Sequence, residues 1–342
     1  MIEAIDLFCG AGGLTAGLQK AGIKVKAGYD IEEACRYAFE FNNKSEFINK
    51  DVSLIDNAEI ANKYSHGVIR LLAGCAPCQP FSKYNQGKDV EIDKKWSLLY
   101  AFARLIEGNL PELVTMENVP EVVKHQVYHD FVRRLESLGY HIWSDAVFCA
   151  DYGVPQCRRR HVLLASRLGP IELIPPTHKN NWVSIREVIE HLPPIESGEQ
   201  HPLDPLHRAV SLNAINLKRI RASRQGGTWR DWPEELRLAC HKKNTGANYV
   251  GIYGRMSWDE PSPTMTTQCY GYGNGRFGHP EQDRAISLRE AAIFQSFPDD
   301  YQFHPSSIKL QTKELGKMIG NAVPVRLGEV IGLSLKSHLE RM

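Results

Sequence analysis

The sequence predicts an α/β fold built on an open sheet, with functional residues along one rim of that sheet. Apolar runs typical of buried strands cover residues 2–8, 24–29, 68–73 and 113–116. A glycine-rich turn and a short helix join the first two runs, and each of the other two leads directly into residues typical of catalysis. Because ligands in open α/β sheets bind at the carboxyl ends of strands, these strand ends define one candidate site.

The first unit has the form of a nucleoside-binding motif. Its turn, GAGG at residues 10–13, precedes a helix, and the strand that follows ends in Asp30. Asp30 lies 18 residues after Gly12, close to the spacing at which a carboxylate binds a ribose diol. Thr15 stands where a dinucleotide-binding fingerprint has its third glycine. The pattern therefore favours an adenosyl cofactor over a nicotinamide dinucleotide, and a simple tight turn stays open as an alternative.

The third apolar run leads into the sequence PCQPFS at residues 77–82. Its cysteine, Cys78, precedes Glu117 of the sequence ENV by 39 positions. A thiol nucleophile beside a carboxylic acid is what attack on an electron-poor ring carbon requires. Cys75 and Cys78 also form a C-x-x-C pair, so a redox pair and a buried structural cysteine stay open here. Zinc is disfavoured because the other cysteines supply no second close pair.

A further candidate site follows a strand predicted over residues 142–148. The sequence DYGVPQCRRR at 151–160 leads into another apolar run, and in an extended segment Gln156, Arg158 and Arg160 share one face. Two guanidiniums on one face can grip an anion or the polar edge of a base, and a solvated charged edge is the alternative. Near the end of the chain, the sequence GNAVPV precedes an amphipathic helix whose expected role is packing.

Composition indicates a soluble, cytoplasmic protein with no membrane association. Its 342 residues include no secretory leader and no apolar run near 18 residues, and eight cysteines suit a reducing compartment. The net charge is only +1, but residues 205–255 hold ten Lys or Arg and three acids, giving +7 against −6 elsewhere. Such a segment is typical of an electrostatic footprint for phosphate. A solvated charged face is the alternative.

In their order along the chain, these motifs resemble those of the cytosine-C5 DNA methyltransferases of the bacterial modification-methylase type. The matching blocks lie within residues 1–168 and 284–342. They are DLFCGAGG (6–13), APCQPFS (76–82), ENV (117–119), DYGVPQ (151–156) with Arg158 and Arg160, RE (289–290) with QSFP (295–298), and IGNAVP (319–324). The resemblance implies a Rossmann-like S-adenosylmethionine-dependent methyltransferase domain, residues 1–175 and 284–342, with a smaller target-recognition domain at 176–283.

The resemblance also implies roles for individual residues. Cys78 is expected to be the nucleophile and Glu117 the acid facing the base, with Arg158 and Arg160 near the cytosine. The residues expected to bind S-adenosylmethionine are Phe8, Gly10, Gly12, Asp30, Ile31, Asp51, Val52, Asn321 and Ala322. The residues expected to contact DNA are Gln79, Ser82, Thr266, Gln268 and Arg276. No metal site is expected.

The implied reaction is methyl transfer to C5 of a flipped-out cytosine in a specific double-stranded DNA sequence, through a covalent Cys78–C6 adduct. The nearest alternative is a transfer-RNA cytosine methyltransferase on the same catalytic core. An inactive DNA-binding relative is disfavoured because Cys78, Glu117 and Arg160 are all present. The expected chain is a monomer whose partners are double-stranded DNA and, by shared specificity only, a cognate restriction endonuclease.

Overall fold

The computed structural model describes residues 1–77, 92–243, 250–305, 307 and 311–342, and only the backbone of residues 92–97. This described chain divides into two compact units. The first comprises Met1–Tyr152, Arg159–Thr177 and Ala322–Met342, and the second comprises Gly153–Arg158 and His178–Asn321. Residues 284–321, which the sequence assigned to the catalytic domain, thus pack with the second unit. The functional boundaries at 175 and 283 stay a prediction.

Seven strands of the first unit form one sheet. The strands of the described chain are β1 (Ile2–Leu7), β2 (Lys24–Asp30), β3 (Glu46–Asn49), β4 (Ile69–Gly74), β5 (Leu113–Asn118), β6 (His141–Phe148), β7 (Gln156–Cys157), β8 (Arg159–Ser166) and β9 (Ser262–Pro263). The sheet order is β3-β2-β1-β4-β5-β8-β6. Strands β1 to β5 are parallel, and β8 is antiparallel to β5 and β6. The predicted α/β class is confirmed.

The helices of the described chain divide between the two units: the first five and the last belong to the first unit, and the others belong to the second. They are α1 (Gly13–Lys20), α2 (Arg36–Asn43), α3 (Asn57–Ala61), α4 (Ile92–Asn109), α5 (Gln126–Ser137), α6 (Ile185–Ile189), α7 (Ala214–Arg221), α8 (Leu288–Phe294), α9 (Thr312–Asn321) and α10 (Val325–Glu340). Residues 312–340 are apolar and long enough to cross a membrane by composition alone. However, 67% of an apolar 18-residue stretch within them is buried inside the protein, as in a core helix of a soluble protein.

The core explains why the strands could be recognised as apolar runs. Parallel strands are covered on both faces and therefore read as nearly continuous hydrophobic segments. The apolar residues of β1 and β5 are buried, and the main cluster joins them to α4 and α5. Within it, the rings of Phe102 and Phe131 lie 5.5 Å apart. This packing holds the strand ends that carry the candidate site.

Two helices from distant parts of the chain, α1 and α10, pack closely through glycines. A Cβ built on Gly17 would lie 2.3 Å from the carbonyl oxygen of Val325, and one on Gly328 would lie 3.0 Å from the carbonyl oxygen of Leu14. The backbones can approach only because both positions lack a side chain. The apolar stripe predicted for α10 is buried, as at Leu327 and Ile331.

Candidate active site

The strand order of the sheet reverses between β1 and β4. In open α/β sheets the ligand crevice lies outside the carboxyl ends of the strands at such a point. Strand β1 ends at Leu7 and leads into the glycine-rich turn, while β4 ends at Gly74 and leads towards Cys78. The predicted cofactor turn and the predicted nucleophile segment therefore leave the sheet from neighbouring strands.

The segment that precedes the predicted nucleophile is held by two hydrogen bonds. The Cys75 backbone N–H donates to the carbonyl oxygen of Leu7 at 3.2 Å. The side-chain amide of Asn118, at the end of β5, donates to the carbonyl oxygen of Ala76 at 3.3 Å. These bonds fix the chain beside the ends of β1 and β5. The predicted site residues Cys78, Gln79 and Ser82 lie outside the described residues.

The turn after β1 has an unusual backbone that brings it to Asp30. Phe8, Gly10 and Gly12 all have positive φ angles, of 60°, 50° and 89°. For Phe8 this conformation is uncommon, and such residues cluster at functional sites. The Gly10 N–H donates to Oδ2 of Asp30 and the Glu32 N–H donates to Oδ1, both at 2.8 Å. The predicted cofactor residues Phe8, Gly10 and Asp30 are thus brought together.

Asp6 is a buried acid beneath this turn that sequence reasoning left without a role. Its Oδ2 accepts a hydrogen bond from the Thr15 hydroxyl at 2.7 Å. Its Oδ1 has no hydrogen-bond partner among the described residues. Burial raises the pKa of Asp6 to about 7, and the nearby charge of Asp30 adds to the rise. The sequence did contain a sign that Asp6 has a role, because an acidic residue lies within a strand that was predicted to be buried.

Asp6 should make folding stability fall as the pH rises. Its folded-state pKa of about 7 exceeds the ordinary value of 3.8, so the contribution of the protonated group is full below pH 3.8 and is lost as the pH rises through 7. In Asp6→Asn the unfolding free energy should decline less between pH 5 and pH 8. The difference should reach up to about 3 kcal/mol, at about 1.4 kcal/mol per pKa unit. Urea unfolding at both pH values would measure it.

Asp56→Asn is a matched control for that experiment, because the exposed Asp56 side chain only caps α3 and asparagine caps helices equally well. Its pH profile should follow the wild-type profile. Parallel profiles for the wild type and Asp6→Asn would contradict the raised pKa.

The second predicted acid, Asp51, follows β3. Its Oδ1 accepts hydrogen bonds from the backbone N–H and the hydroxyl of Ser53, both at 2.8 Å, and so caps a short turn that contains the buried Val52. Strand β3 pairs with β2 up to Asp30, so both acids lie at the same rim. Ile31, which follows Asp30, is 69% exposed.

Asn321 and Ala322 are the remaining predicted cofactor residues. Asn321 is the exposed last residue of α9 and belongs to the second unit, whereas Ala322 belongs to the first. Their role towards the cofactor stays a prediction. Among the described residues, no group of three or more His, Cys, Asp or Glu side chains could hold a metal ion.

Glu117 and Arg160 form an ion pair on neighbouring strands. The residue opposite Glu117 on β8 is Val162, and Nε of Arg160 lies 2.8 Å from Oε1 of Glu117. Within the described part of the chain that oxygen has no partner with hydrogen-bond geometry, so the contact is an ion pair without a formal hydrogen bond. Glu117 is 7% exposed. The sequence placed Glu117 just past its strand, which was wrong, because antiparallel pairing with β8 extends β5 to Asn118.

Arg158 has different surroundings from Arg160. Gln156 and Arg158 are buried while Arg159 is exposed. The expected continuous extended segment through Arg160 was wrong, because β7 ends at Cys157, β8 begins at Arg159 in another sheet, and Arg158 lies in neither strand. Nη1 of Arg158 donates to the carbonyl oxygen of Met265 at 2.9 Å, and Nη2 donates to that of Gly320 at 3.4 Å. These contacts lie within the second unit. The catalytic role expected of Arg158 stays a prediction.

The predicted DNA-contacting residues of the second unit lie at its surface. Thr266 and Gln268 are exposed, and Arg276 is partly buried. Nη1 of Arg276 donates to the carbonyl oxygen of Gly226 at 3.5 Å. The side chains of Thr266 and Gln268 are therefore available to a ligand.

The basic segment contributes less surface charge than the sequence predicted. Arg219 and Arg255 are buried. The guanidinium of Arg219 lies 5.4 Å from the centre of the Trp232 ring, and Nη2 of Arg255 lies 2.7 Å from Oδ1 of Asp283. Counting both in a surface footprint was wrong, because they stabilise the interior of the second unit. The exposed basic residues are Lys218, Arg221, Arg224, Arg230, Lys242 and Lys243.

Comparisons with known proteins agree with this arrangement. A profile of the family described as C-5 cytosine-specific DNA methylase matches residues 2–337. The type II methylase M.HgiDII of Herpetosiphon aurantiacus is 52% identical over 98% of this chain and 95% of its own length. The type II methyltransferase M.Eco47II of Escherichia coli is 31% identical over 99% of this chain and 79% of its own length.

A candidate DNA modification methyltransferase encoded within an Escherichia coli prophage has the same fold. Its TM-score is 0.74 at 21% identity, over 99% of this chain and all of the other. The family profile spans nearly the whole sequence. The chain belongs to the C-5 cytosine-specific DNA methylase family, and its enzyme class is DNA (cytosine-5-)-methyltransferase.

Proposed function

We propose that this protein transfers the methyl group of S-adenosylmethionine to C5 of a flipped-out cytosine in a specific double-stranded DNA sequence, through a covalent Cys78–C6 adduct. The observation that carries the proposal is the ion pair that the buried Glu117 forms with Arg160 at the end of β5. It lies on the strand whose last residue, Asn118, holds the segment entering the Cys78 loop. An acid is therefore fixed beside the segment that leads to the expected nucleophile.

The rim at β1 and β2 fits an adenosyl cofactor. A Cβ built on Gly10 would meet no atom of the described residues within 4 Å, so among them space lies open over the turn. The two Asp30 oxygens accept the backbone N–H groups of Gly10 and Glu32, and a carboxylate is also the kind of acceptor that binds ribose hydroxyls. Ile31 and Leu54, 69% and 71% exposed, offer aliphatic surface for a purine. When bound, S-adenosylmethionine would supply an electrophilic methyl group on its sulfonium.

The residues divide the chemistry between them. The Cys78 thiolate attacks C6, forming the S–C6 bond and pushing electrons towards N3 and C5. A proton on Glu117 stabilises the charge at N3, and Arg160 holds the carboxyl group in place. Carbon C5 then takes the methyl group, whose bond to the sulfonium sulfur breaks, and the proton on N3 returns to Glu117. Loss of the C5 proton to a base and cleavage of the S–C6 bond return the thiolate and the aromatic ring.

DNA must expose the cytosine before any of these groups can reach it. A stacked base is inaccessible, and flipping it out costs a few kcal/mol. We propose residues 176–283 as the target-recognition domain that repays this cost at the correct sequence. Because its relatives are named type II methylases, we also propose a cognate restriction endonuclease as functional partner. We propose a monomeric cytoplasmic enzyme as well.

A duplex with fluorine at cytosine C5 should trap the enzyme. Fluorine cannot leave C5 as a proton does, so after methyl transfer the thioether to Cys78 cannot be eliminated. The expected product is a denaturant-stable protein–DNA adduct that forms only with S-adenosylmethionine, and peptide mapping should place it on Cys78. An adduct on another cysteine, or none with active enzyme, would overturn the mechanism. Methylation of transfer RNA instead of duplex DNA would favour the RNA alternative.

Residues that read bases and residues that contact phosphates should respond differently to substitution by alanine. Arg276→Ala or Gln268→Ala should cost about 1–3 kcal/mol at one base position and relax specificity there. Lys242→Ala or Lys243→Ala should instead weaken all sites evenly and reduce the salt dependence of binding. Binding isotherms at several salt concentrations on single-base variants of the site would show the difference. If Arg276→Ala weakened binding to all these duplexes equally, Arg276 would not be a residue that reads a base.

A further inference from the structure

Residues 264–270, here called the recognition loop, present side chains to solvent on a buried base. Thr266, Thr267 and Gln268 are exposed, whereas Met265 and Cys269 are buried. Two of the exposed residues, Thr266 and Gln268, are predicted DNA contacts. The conformation of this loop therefore decides where those side chains point.

Buried side chains from β7 and from the residue that follows it hold the base of the recognition loop. Oε1 of Gln156 accepts the Met265 N–H at 2.8 Å, and Nη1 of Arg158 donates to the Met265 carbonyl oxygen at 2.9 Å. Both backbone polar groups of Met265 are thus fixed by residues more than 100 positions earlier. The hydroxyl of Thr264 adds a bond to the carbonyl oxygen of Cys157 at 2.7 Å.

A second layer ties the same side chains to helices α8 and α9. Nε2 of Gln156 donates to Oε1 of Gln295 and to the carbonyl oxygen of Phe294, both at 2.9 Å. Nε2 of Gln295 donates to the carbonyl oxygen of Ile319 at 2.7 Å. Arg158 reaches the neighbouring carbonyl, that of Gly320, at 3.4 Å. One polar network therefore joins β7, α8, α9 and the recognition loop.

The backbone of α9 lies directly against the recognition loop. A Cβ on Gly320 would lie 2.3 Å from the carbonyl carbon of Thr266, and one on Gly316 would lie 2.5 Å from the Tyr270 ring. Neither position has room for a side chain. The loop therefore lies between the glycine face of α9 and the buried side chains of Gln156 and Arg158.

A buried guanidinium is a costly way to fill space, since apolar residues of similar volume are often as stabilising. Its planar set of donors can instead hold carbonyls from two segments at one fixed geometry. Arg158, 2% exposed, does this between the recognition loop and α9.

We propose that Arg158, together with Gln156 and Gln295, positions the recognition loop and so sets the discrimination between DNA sequences. Arg160, two residues later, serves the chemistry through Glu117. Arg158 is then a positioning residue, not the catalytic residue that the resemblance implied. The proposal rests on the proposed function, because it assumes that the recognition loop contacts the target duplex.

The test compares Arg158→Lys with Arg159→Lys. The first variant keeps the positive charge but loses the planar set of guanidinium donors, and the second makes the same change at an exposed neighbour. The recognition sequence is first found by bisulfite sequencing of plasmid from expressing cells. The kcat/KM ratio is then measured between the cognate duplex and duplexes with one base pair changed. For Arg158→Lys this ratio should fall about tenfold, within the range for one mismatched base pair. Arg159→Lys should leave it unchanged, and neither variant should alter S-adenosylmethionine affinity without DNA.

Thr264→Val is a second, milder variant, because it removes one exposed anchor of the loop and buries no new group. It should lower the ratio in the same direction by a smaller factor. Unchanged discrimination in Thr264→Val and in folded Arg158→Lys would overturn the proposal. So would a fall of kcat at saturating DNA with unchanged discrimination, which would return Arg158 to the chemistry. Failure of the wild type to form the fluorocytosine adduct would count against the proposed function instead.

Discussion

Cys78→Ser is expected to abolish nearly all methyl transfer while leaving S-adenosylmethionine and DNA binding close to wild-type strength. A hydroxyl at neutral pH is a far poorer nucleophile than a thiolate, so C6 would not be attacked and C5 would stay too electron-poor to take the methyl group. Single-turnover methylation of a cognate duplex, followed by quench, measures the step directly. Filter binding and calorimetry measure the two affinities.

Cys240→Ser is the matched control, because Cys240 is an exposed cysteine of the second unit. It should methylate at the wild-type rate. A Cys78→Ser variant that also retained a rate near wild type would remove Cys78 as the nucleophile, and with it the covalent mechanism.

Glu117→Gln is expected to slow methyl transfer by about two orders of magnitude or more, the upper range for a lost general acid. The amide can still donate a hydrogen bond to N3, but it cannot deliver a proton there. The substitution also leaves the Arg160 guanidinium, whose Nε lies 2.8 Å from Oε1 of Glu117, without its charged partner. Rapid-quench kinetics at saturating DNA and cofactor would give the rate of the chemical step.

Glu121→Gln tests whether any neighbouring acid would have the same effect. Glu121 is exposed in the short turn that follows β5, and its neutralisation should change the rate little. A loss smaller than about threefold in Glu117→Gln, far below the usual contribution of a general acid, would make Glu117 a structural residue.

The sheet and the rim of the site were predictable because their signals are local. Buried parallel strands appear as continuous apolar runs, and β1, β2 and β5 begin within a residue of their predicted starts. The position of Glu117 was misjudged because the apolar run stops at Met116, while the strand continues through pairing with β8. That pairing joins segments far apart in the chain, so no local pattern reveals it.

The fate of charged residues could not be predicted for the same reason. Whether an arginine is exposed depends on distant partners, such as Asp283 for Arg255 and Trp232 for Arg219. The burial of Arg158 beside the exposed Arg159 matches the alternation expected of an extended segment, although Arg158 itself lies between β7 and β8. No local pattern predicted that Arg158 and Arg160 belong to different compact units.

The close packing of α1 against α10 has a consequence for the order of events during synthesis. A ribosome makes α1 near the start of translation and α10 more than 300 residues later. Until then, the glycine face of α1 at Gly17 lacks the helix that covers it, and contacts so distant in sequence are slow to close. The nascent chain should therefore complete its cofactor-binding unit only after α10 has emerged, so that partly made chains do not methylate.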